Sequence, residues 1–383
     1  MSLLHWVWLG LAIRPGSPLM DQILNEFPDP EEFFLSGKKG LLKAGITDQG
    51  ESFRILGTTL DMAKEAIDSA EKYGAKIITR DMYSYPVTLR TIESAPAVLY
   101  VLGDEKCLNE QPVIGVVGTK HITDYGRKMT EIISSGLAVS GATVISGMSK
   151  GIDAEAHKAC IRNGGRTIAV QGCGICNTYP SELRELKELI AANGAVVSEF
   201  APDSDAHGSF FTVKNRIISG ISLGVCVVEA AAKSGTSSTA SSALKQGRKV
   251  FAVPSDVLRS TSPGTFRLLK QGAIPVANAL DILSEFKSDY PFLIDPSLPV
   301  SKYTFAQENG NGYKHEKISK KEIPDGVSEN AAKIYNLVEN NPIFADELSQ
   351  KAGLSAQDAA AAFTELELYG LVKPIVGRRF VTA

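Results

Sequence analysis

Two short loops concentrate the residue types that chemistry needs. One reads Gly118-Thr119-Lys120, the other Ser146-Gly147-Met148-Ser149-Lys150-Gly151. Each follows a short apolar run and precedes a helical pattern. Glycines in such loops let a ligand approach the backbone, and a helix N-terminus offers unpaired N–H groups to an anion. Ser234-Gly235-Thr236 has the same character, and Lys214-Asn215-Arg216 adds two cations beside Phe211. Together these residues describe a phosphate-binding crevice. Its cations are expected to be Lys120, Lys214 and Arg216, in loops at strand ends, with Lys150 and the hydroxyls of Thr119, Ser146, Ser149, Ser234 and Thr236 around them. Arg216 is alternatively held by Glu199 or Glu229, and Phe211 either stacks on a base or fills core.

Other chemistries fit parts of the same stretch. Gly147-Met148-Ser149-Lys150-Gly151 matches a nucleophile elbow, which needs an acid and a later histidine. His157 is too close in sequence, His207 lies in a polar loop and His315 in a linker. Cys173-Gly174-Ile175-Cys176 has redox spacing, with no second pair to make a zinc site. Gly172-Cys173-Gly174 lacks the third glycine of a dinucleotide fingerprint. Asp153 and His157 share a helix face without a third ligand, so a helix cap and a hydrogen-bonded histidine are expected instead of a metal. The reading is a binding protein with no catalytic residues, metal or cofactor.

The elements around these loops repeat a strand, small-residue loop and helix. Apolar runs at 75–79, 98–102, 113–117, 142–145, 166–170, 195–199, 224–229 and 249–253 alternate with helical patterns. This is the grammar of a doubly wound, Rossmann-like parallel sheet, with ligands at the carboxyl ends of its strands. Residues 1–74 read as a small all-helical domain, in which Leu41-Leu42-Lys43-Ala44-Gly45-Ile46 has a helix-hairpin-helix-like turn whose amides either hold a DNA phosphate or only turn the chain. The α/β domain spans 75–287. Residues 288–326 are rich in Pro, Gly, Asn, Ser and Lys and read as a linker. Residues 327–383 give three helices and a two-stranded wing turning at Gly377, a winged-helix domain. Lys373, Arg378 and Arg379 lie on that wing, while the third helix carries acidic residues. DNA reading and protein contact both remain open for it.

Composition agrees with a soluble globular chain. Of 383 residues 44% are hydrophobic and 22% charged, and the net charge is −3, so a polyanion must meet a local basic patch. Five cysteines and the lack of a signal peptide point to a reducing compartment, hence the cytoplasm. The apolar start at 3–13 is too short to span a bilayer, and no membrane partner is expected.

Further segments complete a recognisable series. After the two loops come Asp153, Ala156-His157, Thr167-Ile168-Ala169-Val170, Gly172-x-Gly174, Tyr179-Pro180, Ser198-Glu199 and Asn215-Arg216-Ile217-Ile218. Val228-Glu229-Ala230, Ser234-Gly235-Thr236, Gly247-Arg248-Lys249-Val250-Phe251-Ala252-Val253-Pro254 and Gly264-Thr265 follow. In this order, over about residues 75 to 285, they resemble the DprA/Smf family, the DNA-processing proteins of natural transformation. The helical front and winged-helix tail match the family's fuller layout. The resemblance implies a non-enzymatic protein of competence and recombination that binds and protects incoming single-stranded DNA. It also implies a homodimer through the central domain and help in loading the RecA recombinase. Ile217, Ile218, Ile221 and Leu223 are the candidate dimer surface, although a buried helix explains them equally well. Three departures bear on affinity. The family's Gly-Ser-Arg is Gly118-Thr119-Lys120, its Phe-Pro-x-Arg-Asn-Arg is Phe211-Thr212-Val213-Lys214-Asn215-Arg216, and its glycine after Pro254 is Ser255. Lysine keeps the charge of arginine but loses its two-pronged hydrogen bonding. The alternative is a nucleoside-monophosphate phosphoribohydrolase-like enzyme, which shares such a sheet and a glycine-threonine loop. The glutamate that those enzymes place after the threonine is absent here. A winged-helix repressor would need base-reading cations in a third helix, and residues 357–369 have none.

Overall fold

The structure, a computed structural model, describes residues 2–290, 323–338 and 343–382 apart from positions 111, 233, 325 and 376–378. Among the described residues, five helices open the chain: α1 (Leu3–Ala12), α2 (Leu19–Glu26), α3 (Pro30–Lys43), α4 (Gln49–Gly57) and α5 (Leu60–Lys72). Their starts follow from local chemistry. Asp29, Asp48 and Thr59 accept backbone N–H groups at the first turns of α3, α4 and α5, and Pro30 occupies the first helical position of α3. Trp6, Trp8 and Leu9 of α1 are buried in a core that continues through Val98, Tyr100, Ile190 and Val196 of the α/β part. The helical segment therefore packs as a layer on the sheet. Of the two readings open to its helix-hairpin-helix-like segment, the hydrogen bonds fit the plain turn. The N–H groups of Ala44, Gly45 and Ile46 bond back to the carbonyls of Gly40, Leu42 and Leu41, and the Asp48 carboxylate caps α4. Those amides are occupied by the turn itself.

A nine-stranded sheet forms the centre: β1 (Lys76–Thr79), β2 (Val98–Gly103), β3 (Val113–Val117), β4 (Thr143–Gly147), β5 (Thr167–Val170), β6 (Gly194–Ser198), β7 (Gly224–Val227), β8 (Lys249–Ala252) and β9 (Ile274–Pro275). The strand order is β1-β2-β6-β5-β4-β3-β7-β8-β9. From β6 to β9 all neighbours are parallel, in registers such as Ile114↔Val144 and Ile114↔Gly224. β1 and β2 add an antiparallel edge, with Tyr100 opposite Ser198, so the sheet is mostly and not wholly parallel. All five residues of β3, β4 and β6 are buried, which is why these strands read as continuous apolar runs.

Helices cover both faces. α6 (Val87–Arg90) lies between β1 and β2, and α7 (Asp124–Val139), α8 (Ile152–Arg162) and α9 (Arg184–Ala192) follow β3, β4 and β5. α10 (Gly208–Val213) and α11 (Asn215–Ile221) precede β7, α12 (Thr236–Lys245) and α13 (Pro263–Lys270) flank β8, and α14 (Ala279–Leu283) closes the domain. Residues of α7, α8 and α14 fill one core, while Ile217, Ile218, Ala240 and Leu268 fill the other. Ile217, Ile218 and Ile221 are buried and belong to the core, which corrects their reading as a dimer surface, while Leu223 is partly buried against the opposite core. His207 lies in the polar loop expected of it, at that loop's last position, where it caps α10. The short edge strand β9 had no alternating pattern to announce it.

The strand order reverses between β3 and β7. β3 leads through α7 towards β4, whereas β7 leads through α12 towards β8 on the other side. A doubly wound sheet has its ligand crevice at such a switch point, outside the carboxyl ends of the strands.

The carboxyl-terminal part is a winged helix: α15 (Glu329–Leu337), β10 (Ile343–Phe344), α16 (Ala345–Ala352), α17 (Ala356–Leu368), β11 (Val372–Ile375) and β12 (Arg379–Thr382). Ser328 and Ser355 cap α15 and α17 as hydroxyl N-caps do. β11 and β12 pair with Pro374 opposite Phe380, and β10 adds a third strand through Ile343. Gly377, Arg378, His315 and most of the 288–326 linker lie outside the described residues. Among the described residues no helix is long and apolar enough to cross a membrane.

Candidate nucleic-acid interface

At the switch point one buried carboxylate joins the two halves of the crevice. Glu229, just past β7, accepts from the Thr123 hydroxyl (2.5 Å), the Thr123 N–H (3.1 Å) and the Thr261 hydroxyl (3.0 Å). Its own carbonyl accepts the Thr119 N–H at 2.9 Å. Gly126 belongs here because a Cβ would overlap the Glu229 carboxylate. The loop from Gly118 to Thr123, with Lys120 in it, is thus fixed from below.

The loop after β4 packs on the same segment. Gly151 has φ +80°, and a Cβ on it would overlap the Thr119 carbonyl. The Ile152 N–H donates to Thr119 O (3.1 Å) and the Ala154 N–H to Ser149 O (3.1 Å). This corrects the expectation of a vacant helix N-terminus, because two of the first N–H groups of α8 are already used. The Asp153 side chain lies buried at the same end, where the Gly118 N–H and the Ser149 hydroxyl favour its charged form. Burial nevertheless pushes its pKa up to about 6, against the pull of Lys214. Ser146 is itself buried and donates to Val116 O.

Lys214 and Arg216 depart from the expected crevice of three open cations. Lys214 sits at the junction of α10 and α11 and is only 3% exposed; its Nζ donates to Val170 O at 2.9 Å. A Cβ on Gly147 would meet both this ammonium and the Asp153 carboxylate. Burial pulls the Lys214 pKa down to about 8, with Asp153 opposing. Arg216 lies in α11, and its two terminal nitrogens donate to both Glu199 oxygens at 2.7 Å. These two side chains are 13% and 5% exposed, and line a small cavity with Gly10, Gly16 and Ser94 where α1 and its following turn meet the sheet. Both cations neutralise internal carboxylates, which sequence spacing alone does not reveal. Lys150 is exposed and pairs with Glu182 at 2.7 Å.

Lys120 is the exposed cation of the β3 loop. Its ammonium stands 5.2 Å from the centroid of Phe211, a half-buried ring on α10. Gly172 faces the same ring, and Tyr179 lies 5.3 Å from it, tilted by 49°. Asn215 donates to Gly235 O (3.2 Å) and Ser238 Oγ (2.7 Å), tying α11 to the Ser234-Gly235-Thr236 turn at the start of α12. The structure therefore brings Gly118, Thr119, Lys120, Gly147, Ser149, Gly151 and Phe211 together with Asn215 and the 234–236 turn along the carboxyl edge. Residues that spacing did not assign to this edge are Glu229 and Tyr179. Their signals were an acidic residue closing the β7 run and an aromatic closing the turn that begins Gly172-x-Gly174.

The decoy motifs have structural explanations. His157 is wholly buried and its Nδ1 lies 2.6 Å from the Thr167 hydroxyl, not at Ser149. None of the five cysteines forms a disulfide, and burial raises the pKa of both Cys173 and Cys176. Among the described residues no group of three His, Cys, Asp or Glu can hold a metal ion.

Fold and site together define a doubly wound α/β protein, with an aromatic and cationic edge at its switch point, between a helical layer and a winged helix. The profile of the family described as DNA recombination-mediator protein A matches residues 76–287, and that of the DprA winged helix domain matches 319–378. Protein Smf of Synechocystis sp. is 32% identical over 326 residues, 82% of each chain. The DNA processing protein DprA of Bacillus subtilis is 38% identical over 212 residues, 55% of this chain and 71% of the relative. The X-ray structure of DprA from Streptococcus pneumoniae superposes with a TM-score of 0.66 at 27% identity, covering 74% of this chain and 98% of that one. The DprA structure from Helicobacter pylori, described for its single-stranded DNA binding mode, gives 0.51 at 27% identity, covering 57% and 99%. The chain belongs to the DNA recombination-mediator protein A family, the DprA/Smf proteins of DNA processing.

Two predictions follow from the buried charges. Arg216→Ala leaves Glu199 buried without its partner and should cost about 3–5 kcal/mol of stability, whereas Arg216→Met with Glu199→Leu should recover most of the loss. Urea unfolding of the three proteins checks this, and an Arg216→Ala variant as stable as the parent contradicts it. His157 is neutral when folded, because burial pushes its pKa down to about 3. The unfolded imidazole titrates near 6.5, so this contribution is complete above that pH and is lost progressively as pH falls towards 3. The stability deficit of His157→Gln at pH 7 should therefore shrink by roughly 2 kcal/mol on going to pH 5. Asp153 and Lys214 are present in both proteins, so the difference isolates His157; a deficit independent of pH contradicts it.

Proposed function

We propose that this chain binds single-stranded DNA along the carboxyl edge of its parallel sheet without turning nucleotides over. On this reading it protects incoming DNA and helps to load the RecA recombinase during natural transformation and recombination. The observation that carries the reading is the Lys120 ammonium, exposed on the β3 loop and standing over the Phe211 ring. A cation beside an aromatic ring suits a backbone phosphate next to an unstacked base, and neither group reads sequence. Family membership and the relative from Helicobacter pylori support the same ligand.

A phosphoribohydrolase finds less support. Glu229 and Glu199 are engaged by hydrogen bonds within the protein, Asp153 and His157 are buried, and α12 carries no carboxylate after Thr236. General acid–base catalysis needs such a group within reach of substrate. For the homodimer through the central domain, the exposed apolar side chains around the β8–β9 side, Leu244, Val257, Leu258 and Phe266, replace the buried isoleucines as candidates. Engagement of RecA rests on the family alone.

Lys120→Glu is the direct test. Each neutralised phosphate contributes a slope of about 0.7 in log affinity against log salt for single strands. The variant should bind oligonucleotides of every sequence more weakly and flatten that slope by about 0.7 or more. Circular dichroism should match the parent, since the side chain is exposed. Unchanged affinity and slope across the salt series contradict the proposed edge.

A further inference from the structure

Tyr179 is 48% exposed at the end of a turn that is otherwise drawn inward. Gln171 Nε2 donates to the carbonyls of Cys173 (3.2 Å), Gly174 (2.6 Å) and Asn177 (3.3 Å). From the other side the Lys187 ammonium, 1% exposed, donates to the carbonyls of Ile175 (2.5 Å) and Asn177 (2.7 Å). Ser198 Oγ adds a bond to Cys173 O, and Asn177 Nδ2 reaches the carbonyls of Asp203 and Ser204. A turn held by so many inward bonds is a rigid mount. What it presents to solvent is one large aromatic ring, next to Phe211 and on the same edge as Lys120.

Core packing accounts for Phe211 in part, since it is half-buried and lies against Gly172. It does not account for Tyr179, a residue that leaves nearly half its surface in water. A fixed, exposed ring beside a cation suits a nucleobase, because every base has a face to stack and little order is lost on binding. We propose that Tyr179 and Phe211 form a two-ring platform for bases of single-stranded DNA, with Lys120 meeting the backbone beside it. The inference rests on the DNA reading of this edge and adds to it a binding residue and a base-dependent contact.

Titration of the full-length protein by fluorescence anisotropy tests this, with a labelled oligo-dT and an abasic oligonucleotide of the same length. Tyr179→Ala should weaken oligo-dT binding about tenfold, which is the ~1.4 kcal/mol expected of one stack. Its affinity for the abasic strand and its salt slope should equal the parent's, and Tyr179→Phe, which keeps the ring, should restore oligo-dT binding. Lys120→Glu should weaken both strands. If Tyr179→Ala binds oligo-dT as tightly as the parent while Lys120→Glu loses both, the platform is wrong and the DNA edge stands. Equal loss of both strands in Tyr179→Ala means that the ring only shapes the turn, which also overturns the platform. If Lys120→Glu binds both strands like the parent, the edge and the platform fall together.

Discussion

The Glu229 carboxylate is the constraint on which the crevice depends. It stands where the strand order reverses, so the segments after β3 and β8 and the first turn of α7 converge on it. A buried carboxylate is costly unless its oxygens are satisfied, and here three donors and a close-fitting glycine surround it. The same residue's carbonyl holds the Thr119 N–H. Shape at the ligand edge is thereby set by an internal hydrogen-bond network, and the exposed side chains remain available to whatever binds.

The charges behind that edge are largely spent inside the protein. Lys214 faces Asp153, and Arg216 clasps Glu199 where the helical layer meets the sheet. Pairs of this kind contribute specificity of arrangement more than net stability, because desolvation offsets most of their attraction. They also explain how a chain of net charge −3 can present a local cation, since the acidic partners near the crevice are occupied. On the reading proposed here, few phosphates are neutralised and the rings carry a share of the affinity.

Much of the fold was legible because its strands are buried on both faces. Continuous runs such as 113–117 and 166–170 announced the sheet to within a residue or two, and three helical patterns followed by a pair of short apolar runs announced the winged helix. The antiparallel edge was not legible, since an apolar run such as β2 does not reveal its direction, and β9 is two residues long. The site was legible in its loops and not in its charges. Lys120 and Lys214 look alike in sequence, and only the packing of α11 against β4 and β5 buries one and leaves the other in water. Arg216 carried both readings in the sequence, and Glu199 decides between them. The amides of the 44–46 turn illustrate the same limit, because spacing cannot tell a vacant donor from one already bonded to its own helix.

Photocrosslinking of a single strand substituted with 5-bromodeoxyuridine tests most directly where DNA lies. After digestion and mass spectrometry, the crosslinked peptides should be those containing Lys120, Tyr179 and Phe211 at the carboxyl edge of the sheet. Crosslinks confined to α3 and α4, or to the winged helix from α15 onward, contradict a DNA site at the switch point.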